Sequence, residues 1–212
     1  MAGFYLIRMP RWVRCLYPKG IWRMPAKDKT LYLTFDDGPH PTITPYVLDL
    51  LKDYQAKATF FCIGNNVSLY PEVFERILAE GHRVGNHTFD HLNGWKTSSH
   101  PYIENIRRAA ELIPSNLFRP PFGRIRRGQA QEIRKEFPGM KIVYWDLLSA
   151  DFDVDIQAEA CVNNVIPRLR PGTIIVFHDS EKAFPRLEKS LPKMLEMIRK
   201  EGYNCEVIPE EI

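Results

Sequence analysis

Close cysteine pairs are missing from this 212-residue chain. Its four cysteines, Cys15, Cys62, Cys161 and Cys205, are scattered, and none has the Cys-x-x-Cys spacing of a structural zinc or redox motif, so free thiols are expected. Long apolar runs near the start are missing too. Residues 3–7 form the only one, shorter than the roughly 7–15 residues of a secretory h-region, and a cytoplasmic protein is the resulting expectation. There is no Pro-rich or Gly/Ser-rich linker tract and no internal repeat, which leaves a single domain as the default. Charge of one sign is not in excess: a net charge of +3 is too small to point to nucleic acid. A hydrophobic content of 44% is enough to bury one substantial core.

The first stretch, residues 1–28, differs in character from residues 29–212. Arg8, Arg11, Arg14, Lys19 and Arg23 are interleaved with Phe4, Tyr5, Leu6, Ile7, Trp12, Val13, Leu16, Tyr17, Ile21 and Trp22. Basic and aromatic residues together suit peripheral contact with a membrane surface through residues 1–25. The alternative is an arm that lays its aromatics across the outside of the domain and turns its charges to solvent.

Beyond the arm, hydrophobic periodicity alternates between strand and helix. Apolar runs at 30–35, 58–63, 117–119, 141–145 and 173–177, with 82–87 and 203–208, read as strands. Helical spacing appears at 43–54, 72–80, 103–113, 129–137, 155–169 and 185–200. Six or seven such alternations mean a parallel sheet in the α/β class. The polar segments that stand out each follow a strand: Asp36-Asp37, His87 to His91, Arg119 to Phe122, Asp151 and His178-Asp179. In a parallel barrel those ends share one face, whereas an open sheet gathers ligands at a single switch point. A distorted (β/α) barrel of about seven parallel strands is therefore expected.

Two of these segments carry chemistry in their spacing. Asp36 and Asp37 stand where a strand gives way to Gly38-Pro39, and neighbouring strand residues point to opposite sides. One carboxylate can therefore hold a cation while the other takes a proton from water. His87 and His91 are spaced to share one side of a helical turn or tight loop. Two imidazoles and one carboxylate leave a coordination position open, as catalytic zinc sites do.

Taken with Arg119-Pro120-Pro121-Phe122-Gly123, the segment 145–152 and Ile174 to Asp179, these motifs resemble the polysaccharide deacetylase family, also called carbohydrate esterase family four, across about residues 29–208. The resemblance implies removal of N- or O-acetyl groups with a divalent metal, most often zinc, with cobalt, nickel, manganese or iron as alternatives. It implies Asp37, His87 and His91 as ligands, Asp36 as general base and His178 as the acid that protonates the leaving amine. Asp151 would raise the His178 pKa, and Arg119 would orient Asp36, so that its loss costs rate more than fold. A backbone N–H near Pro121 and Phe122 would hold the oxyanion. Phe152 stands where the family has Trp walling the acetyl pocket, and Val176 where Leu is usual, so formyl is an alternative acyl group.

The implied partner is an acetylated amino-sugar glycan of the N-acetylglucosamine type, as oligosaccharide, polysaccharide or glycan precursor. A membrane lipid-linked sugar, deacylated or deformylated, is one alternative; a non-catalytic glycan-binding module is another. Asp179 is read as a cap on its strand end, Asp90 as a local hydrogen-bonding residue, and His40, His82 and His100 as ordinary polar histidines. Thr59, Asn65, Asn86 and Trp95 are candidates for the rim of the site.

Overall fold

The computed structural model describes residues 5–25 and 28–211. Its elements are α1 (Arg11–Leu16), β1 (Thr30–Asp36), α2 (Ile43–Asp53), β2 (Ala58–Cys62), α3 (Gly64–Leu69), α4 (Pro71–Ala79), β3 (Arg83–Asn86), α5 (Ser99–Ala110), β4 (Leu117–Phe118), α6 (Arg127–Glu136), β5 (Lys141–Ile142), β6 (Leu147–Leu148), α7 (Ala158–Val165), β7 (Ile174–His178), α8 (Phe184–Lys200) and β8 (Asn204–Cys205). The strands are parallel in the order β5-β4-β3-β2-β1-β7-β6, and β8 pairs with the start of β1.

Burial on both faces explains the near-continuous apolar strands. In β1, Leu31, Leu33 and Phe35 face the helices, where Phe35 stacks between Phe60 and Phe177. The alternate residues Tyr32, Thr34 and Asp36 face the interior of the curled sheet, and Tyr32 joins Phe61, Leu117, Val143 and Ile174 in the apolar cluster there. One pleat thus carries packing outward and chemistry inward.

The helices follow the expected spacing, with starts moved by a few residues. Helix α2 buries Ile43, Val47, Leu48 and Leu51, and α8 buries Leu187, Leu191, Met194, Leu195 and Ile198. Pro192 lies inside α8 and cannot donate to the Glu188 carbonyl one turn back; the Tyr46 hydroxyl donates to it instead at 3.1 Å. Two short helices, α1 and α3, have no counterpart in the sequence expectation.

The expected strand at 141–145 is corrected to two strands at opposite edges of the sheet. Strand β5 closes one edge and β6 the other, and only residues 143–146 join them, so the sheet curls to bring its two edges near each other without pairing them. The break comes at Asp146, a fully buried carboxylate that no strand neighbour could satisfy. It is bound by Arg14, by Arg170 at 3.1 Å and by the Thr173 hydroxyl at 3.3 Å.

The N-terminal arm fills the seam between those edges. The Ile21 N–H donates to the Ile142 carbonyl (2.9 Å) and the Tyr144 N–H to the Ile21 carbonyl (2.7 Å), while across the gap the Leu148 N–H donates to the Ile7 carbonyl (2.9 Å). Edge strands that would otherwise expose unpaired groups are thereby covered. Trp22 stacks on Tyr144 at 4.0 Å and is buried, as the packing alternative for the arm requires; Phe4, also named for the arm, lies outside the described residues. No helix is long and apolar enough to cross a membrane among the described residues.

Truncating Trp22 should open this seam. Trp22→Ala is expected to lose about 3–5 kcal/mol in urea unfolding, while Trp12→Ala on the exposed side of α1 should stay within about 0.5 kcal/mol. Equal effects would mean that the arm does not brace the barrel.

Candidate active site

Every polar segment named from the sequence stands at the same end of the sheet. Asp36 and His178 are the last residues of β1 and β7 and lie level with each other in the pairing register. His87 follows β3 directly and Arg119 follows β4, while Asp151 lies three residues past β6.

Arg119 is the centre of the buried network. Fully enclosed, its guanidinium crosses the barrel interior and gives 2.7 Å bonds to both Asp36 Oδ1 and Thr34 Oγ1, a 3.0 Å bond to the Tyr144 carbonyl and a 3.3 Å bond to the Val143 carbonyl. Its plane lies 4.0 Å over the Phe61 ring. Burial pushes the Arg119 pKa down and Asp36 pushes back, the balance expected of a paired charge in a dry interior. Held at Oδ1, Asp36 presents Oδ2 to the histidines, 4.0 Å from His87 Nε2.

Asp37, His87 and His91 form a separate donor set. Asp37 Oδ1 lies 3.2 Å from His91 Nε2 and 3.7 Å from His87 Nε2, and all three ligand atoms fall within 4.8 Å of one another. Tetrahedral ligands at about 2.0–2.1 Å from one ion lie roughly 3.3 Å apart, so the spacing fits a divalent metal. The tautomer fits as well. His87 Nδ1 is 2.8 Å from the Arg119 carbonyl, which can only accept, so Nδ1 carries the hydrogen and the Nε2 lone pair is free. Burial lowers the His87 pKa to about 4, keeping the ring neutral. Burial would raise Asp37, but the His91 hydrogen bond and the surrounding imidazoles hold it well below the usual carboxylate range.

On the far side, His178 Nδ1 and its backbone N–H each donate to Asp151, both at 2.8 Å. Burial alone would lower the His178 pKa; the Asp151 carboxylate overrides it and raises the value to about 9. Asp151 is itself fixed through its carbonyl by the Arg186 side chain at 2.7 Å.

Left-handed backbone is concentrated here. Asp37, Thr88, His91, Phe122 and Ala150 all have positive φ without being glycine, and a sixth such residue, Gln55, lies at the other end of the sheet. Each costs free energy unless its surroundings enforce it. The loop carrying both histidines is not helical; Asn86 and Thr88 side chains bond its backbone at 2.8 and 3.1 Å, and Asn105 receives the N–H groups of Phe89 and Asp90. Asp90 bonds Asn105 at 2.6 Å and Arg108 at 3.2 Å and does not enter the donor set.

Of the four residues expected at the substrate pocket, Phe122 is 58% exposed with its ring 4.6 Å from His91, and Phe152 lies 5.3 Å from the His178 ring. Pro121 is buried, and Val176 is a buried interior residue two positions before His178 on β7. Thr59 is buried and receives the Ile208 N–H, and Asn65 is an exposed residue of α3. His40, His82 and His100 stand outside the cluster. His40 Nε2 pairs with Glu181 at 3.5 Å, His82 Nδ1 accepts the Ala58 N–H, and His100 is exposed on α5.

The family profile described as polysaccharide deacetylase matches residues 23–137, which hold the donor set, Asp36 and Arg119. The chain belongs to the polysaccharide deacetylase family. Its curled seven-stranded sheet is the barrel of that family. A peptidoglycan-N-acetylglucosamine deacetylase of Bacillus cereus is 34% identical over 195 residues, 89% of this chain and 91% of the relative. A chitooligosaccharide deacetylase of Azorhizobium caulinodans is 32% identical over 164 residues, 74% and 77% of the two chains. The crystal structure of a peptidoglycan N-acetylglucosamine deacetylase in complex with 4-naphthalen-1-yl-N-oxidanyl-benzamide superimposes with a TM-score of 0.83 at 29% identity, covering 90% of this chain and 91% of that one.

In this polysaccharide deacetylase, two supports of the first motif escaped the sequence reading. Asn66 of α3 donates to the Asp37 carbonyl at 2.8 Å. Asp179, taken as a strand cap, accepts the Gly38 N–H at 3.1 Å and the Thr44 hydroxyl at 2.5 Å, and so ties the last strand of the site to the first. A methyl on Gly38 would fall 2.1 Å from Asp179 Oδ2, which explains the glycine. Burial raises the Asp179 pKa to about 7.

The Arg119 network has a measurable coupling. The sequence suggested that losing Arg119 costs rate more than fold, but at full burial it bears on both: Arg119→Ala should lose about 3–5 kcal/mol because Asp36 is left buried and unpaired, and much of that loss should disappear in an Asp36→Asn background. Equal losses in both backgrounds, measured by urea unfolding, would show that the two side chains are not coupled.

Proposed function

We propose that this chain is a metal-dependent hydrolase that removes N-acetyl groups from amino sugars of the N-acetylglucosamine type in a glycan. The observation that carries the reading is a metal-type donor set, Asp37, His87 and His91, flanked by an anchored carboxylate and by a paired imidazole of raised pKa. Bound there, a divalent metal, zinc or alternatively cobalt, nickel, manganese or iron, supplies Lewis acidity that makes water a stronger acid and polarises the acyl carbonyl. The protein's residues do the rest.

Asp36 accepts the water's proton at Oδ2, because Arg119 occupies Oδ1 and fixes the carboxylate plane. The backbone N–H of Phe122 stabilises the oxyanion as the carbonyl becomes tetrahedral. His178, protonated at both nitrogens, keeps Nδ1 on Asp151 and delivers its other proton from Nε2 to the departing amine. That proton is what makes the amine a leaving group. Phe152 lies against the His178 ring and borders the acyl group; a phenyl ring in place of an indole leaves room for the chain to differ in acyl preference.

The lipid-linked sugar reading has less to stand on. Trp22 and Tyr17 of the arm are spent on the barrel, and α1 leaves Trp12 and Leu16 exposed.

The reading is tested by mass-spectrometric detection of acetate released from N-acetylglucosamine oligomers by zinc-loaded protein. Because the acid form of His178 is required, the rate should fall as pH rises through about 9, and in Asp151→Asn that limb should move down towards 6.5. No acetate at any pH from zinc-loaded protein contradicts the assignment.

A further inference from the structure

The N-terminal arm reaches beyond the seam to the site. Its residues 7–9 run antiparallel to β6: the Leu148 N–H donates to the Ile7 carbonyl at 2.9 Å, the Met9 N–H donates to the Asp146 carbonyl at 3.2 Å, and Arg8 bridges Leu147 between them. Each step back along the arm is therefore a step forward along β6, towards the end of the sheet that holds His178 and the donor set. The same register, carried on from Ile7, sets Tyr5 level with Ala150, beside Asp151.

Tyr5 is held there by ring and hydroxyl together. The hydroxyl donates to Asp153 Oδ2 at 2.7 Å, and the ring meets the Phe152 ring edge-on at 5.5 Å. Asp153 is a firm anchor, because its Oδ1 accepts the Asp155 N–H at 3.0 Å while its own N–H donates to the Ala150 carbonyl at 3.0 Å. Burial and the bond to Asp153 push the Tyr5 hydroxyl up to about 12, so it stays a donor across the neutral range.

Phe152 depends on such a neighbour. It follows Asp151, the partner of His178, directly in the chain; its ring is half-buried and lies edge-on to the His178 imidazole at 5.3 Å. A phenyl ring on a turn has no polar atom to fix its rotamer, so its place is set by what packs on it. The Lys182 ammonium, 5.8 Å from the ring centroid, sits on a long flexible stem and constrains it little. Tyr5 is anchored at its far end and constrains it well.

We propose that Tyr5 is a positioning residue for the acyl pocket: it fixes the Phe152 ring beside His178 and thereby sets the length of acyl chain that the site accepts. The inference rests on the reading that Phe152 borders the acyl group. An arm residue remote in sequence from every strand end of the site thus contributes to specificity through another side chain. With Tyr5 truncated, the Phe152 ring gains the vacated space and the pocket lengthens.

Binding reads the pocket without turnover. Calorimetric titration of the zinc-loaded full chain would compare acetohydroxamate with butyrohydroxamate, whose oxygens chelate zinc and whose alkyl chains stand in for a short and a longer acyl group. Tyr5→Ala should shift the ratio of the two affinities about tenfold towards butyrohydroxamate, the worth of burying its extra methylenes. Tyr5→Phe, which keeps the ring, should recover most of the wild-type ratio, whereas a merely structural role would lower the unfolding midpoint and leave the ratio alone. Tyr5→Leu, which retains apolar bulk for folding, should shift the ratio in the same direction as Tyr5→Ala. In a Phe152→Ala background the effect of Tyr5→Ala should disappear, since the ring it positions is gone. An unchanged ratio in both Tyr5→Ala and Tyr5→Leu overturns the proposal, and so does a shift of equal size in the Phe152→Ala background. No binding of either hydroxamate overturns it whatever the acetate assay shows. A ratio that follows Tyr5, with no acetate released from N-acetylglucosamine oligomers, would leave this inference standing and remove the proposed activity instead.

Discussion

A single buried ion pair, Arg119 with Asp36, organises this molecule. The guanidinium reaches from the end of β4 across the barrel to the end of β1 and on the way bonds the carbonyls of Val143 and Tyr144, where the chain leaves β5 to cross the seam. Strand ends far apart in the sheet order are thereby held together from within. A charge so enclosed is tolerable only when it is paired and hydrogen-bonded, and Arg119 has the Asp36 carboxylate, the Thr34 hydroxyl and two backbone carbonyls as partners. The same constraint gives Asp36 one engaged oxygen and one free oxygen. Stability and reactivity are read from a single contact.

Around that pair the site is built from local strain under external restraint. Asp37, His91 and Phe122 have left-handed backbone that no strand or helix would impose. Asn66, Asp179 and Thr44 restrain the first motif; Asn86, Thr88 and Asn105 restrain the histidine loop. These supports are uncharged or buried. The seam between β5 and β6 is braced in a similar way by the arm, which adds backbone partners to both edges.

Much of this was legible in the sequence. The strand–helix alternation exposed the α/β class, because buried parallel strands are apolar on both faces, and the polar breaks at Asp36, His87, Arg119 and His178 marked the strand ends that share a face. The run from Lys141 to Leu148 misled, since Ile142, Val143, Tyr144 and Trp145 read as one strand; only Asp146 hinted at the crossing, and its partners Arg14 and Arg170 are remote in sequence. Asn66 and Asp179 were equally hidden, because the value of a hydrogen bond to the Asp37 carbonyl or the Gly38 N–H depends on contacts between distant elements. Backbone φ at Asp37 or Phe122 leaves no compositional trace.

The central claim is a division of labour between adjacent carboxylates, with Asp37 in the donor set and Asp36 held outside it by Arg119. Zinc stoichiometry and acetate release, measured in parallel on Asp36→Asn and Asp37→Asn, test it most directly. The account predicts that Asp36→Asn keeps one zinc per chain and loses turnover, whereas Asp37→Asn loses the zinc itself. Turnover retained in Asp36→Asn, or zinc retained at full affinity in Asp37→Asn, would contradict it.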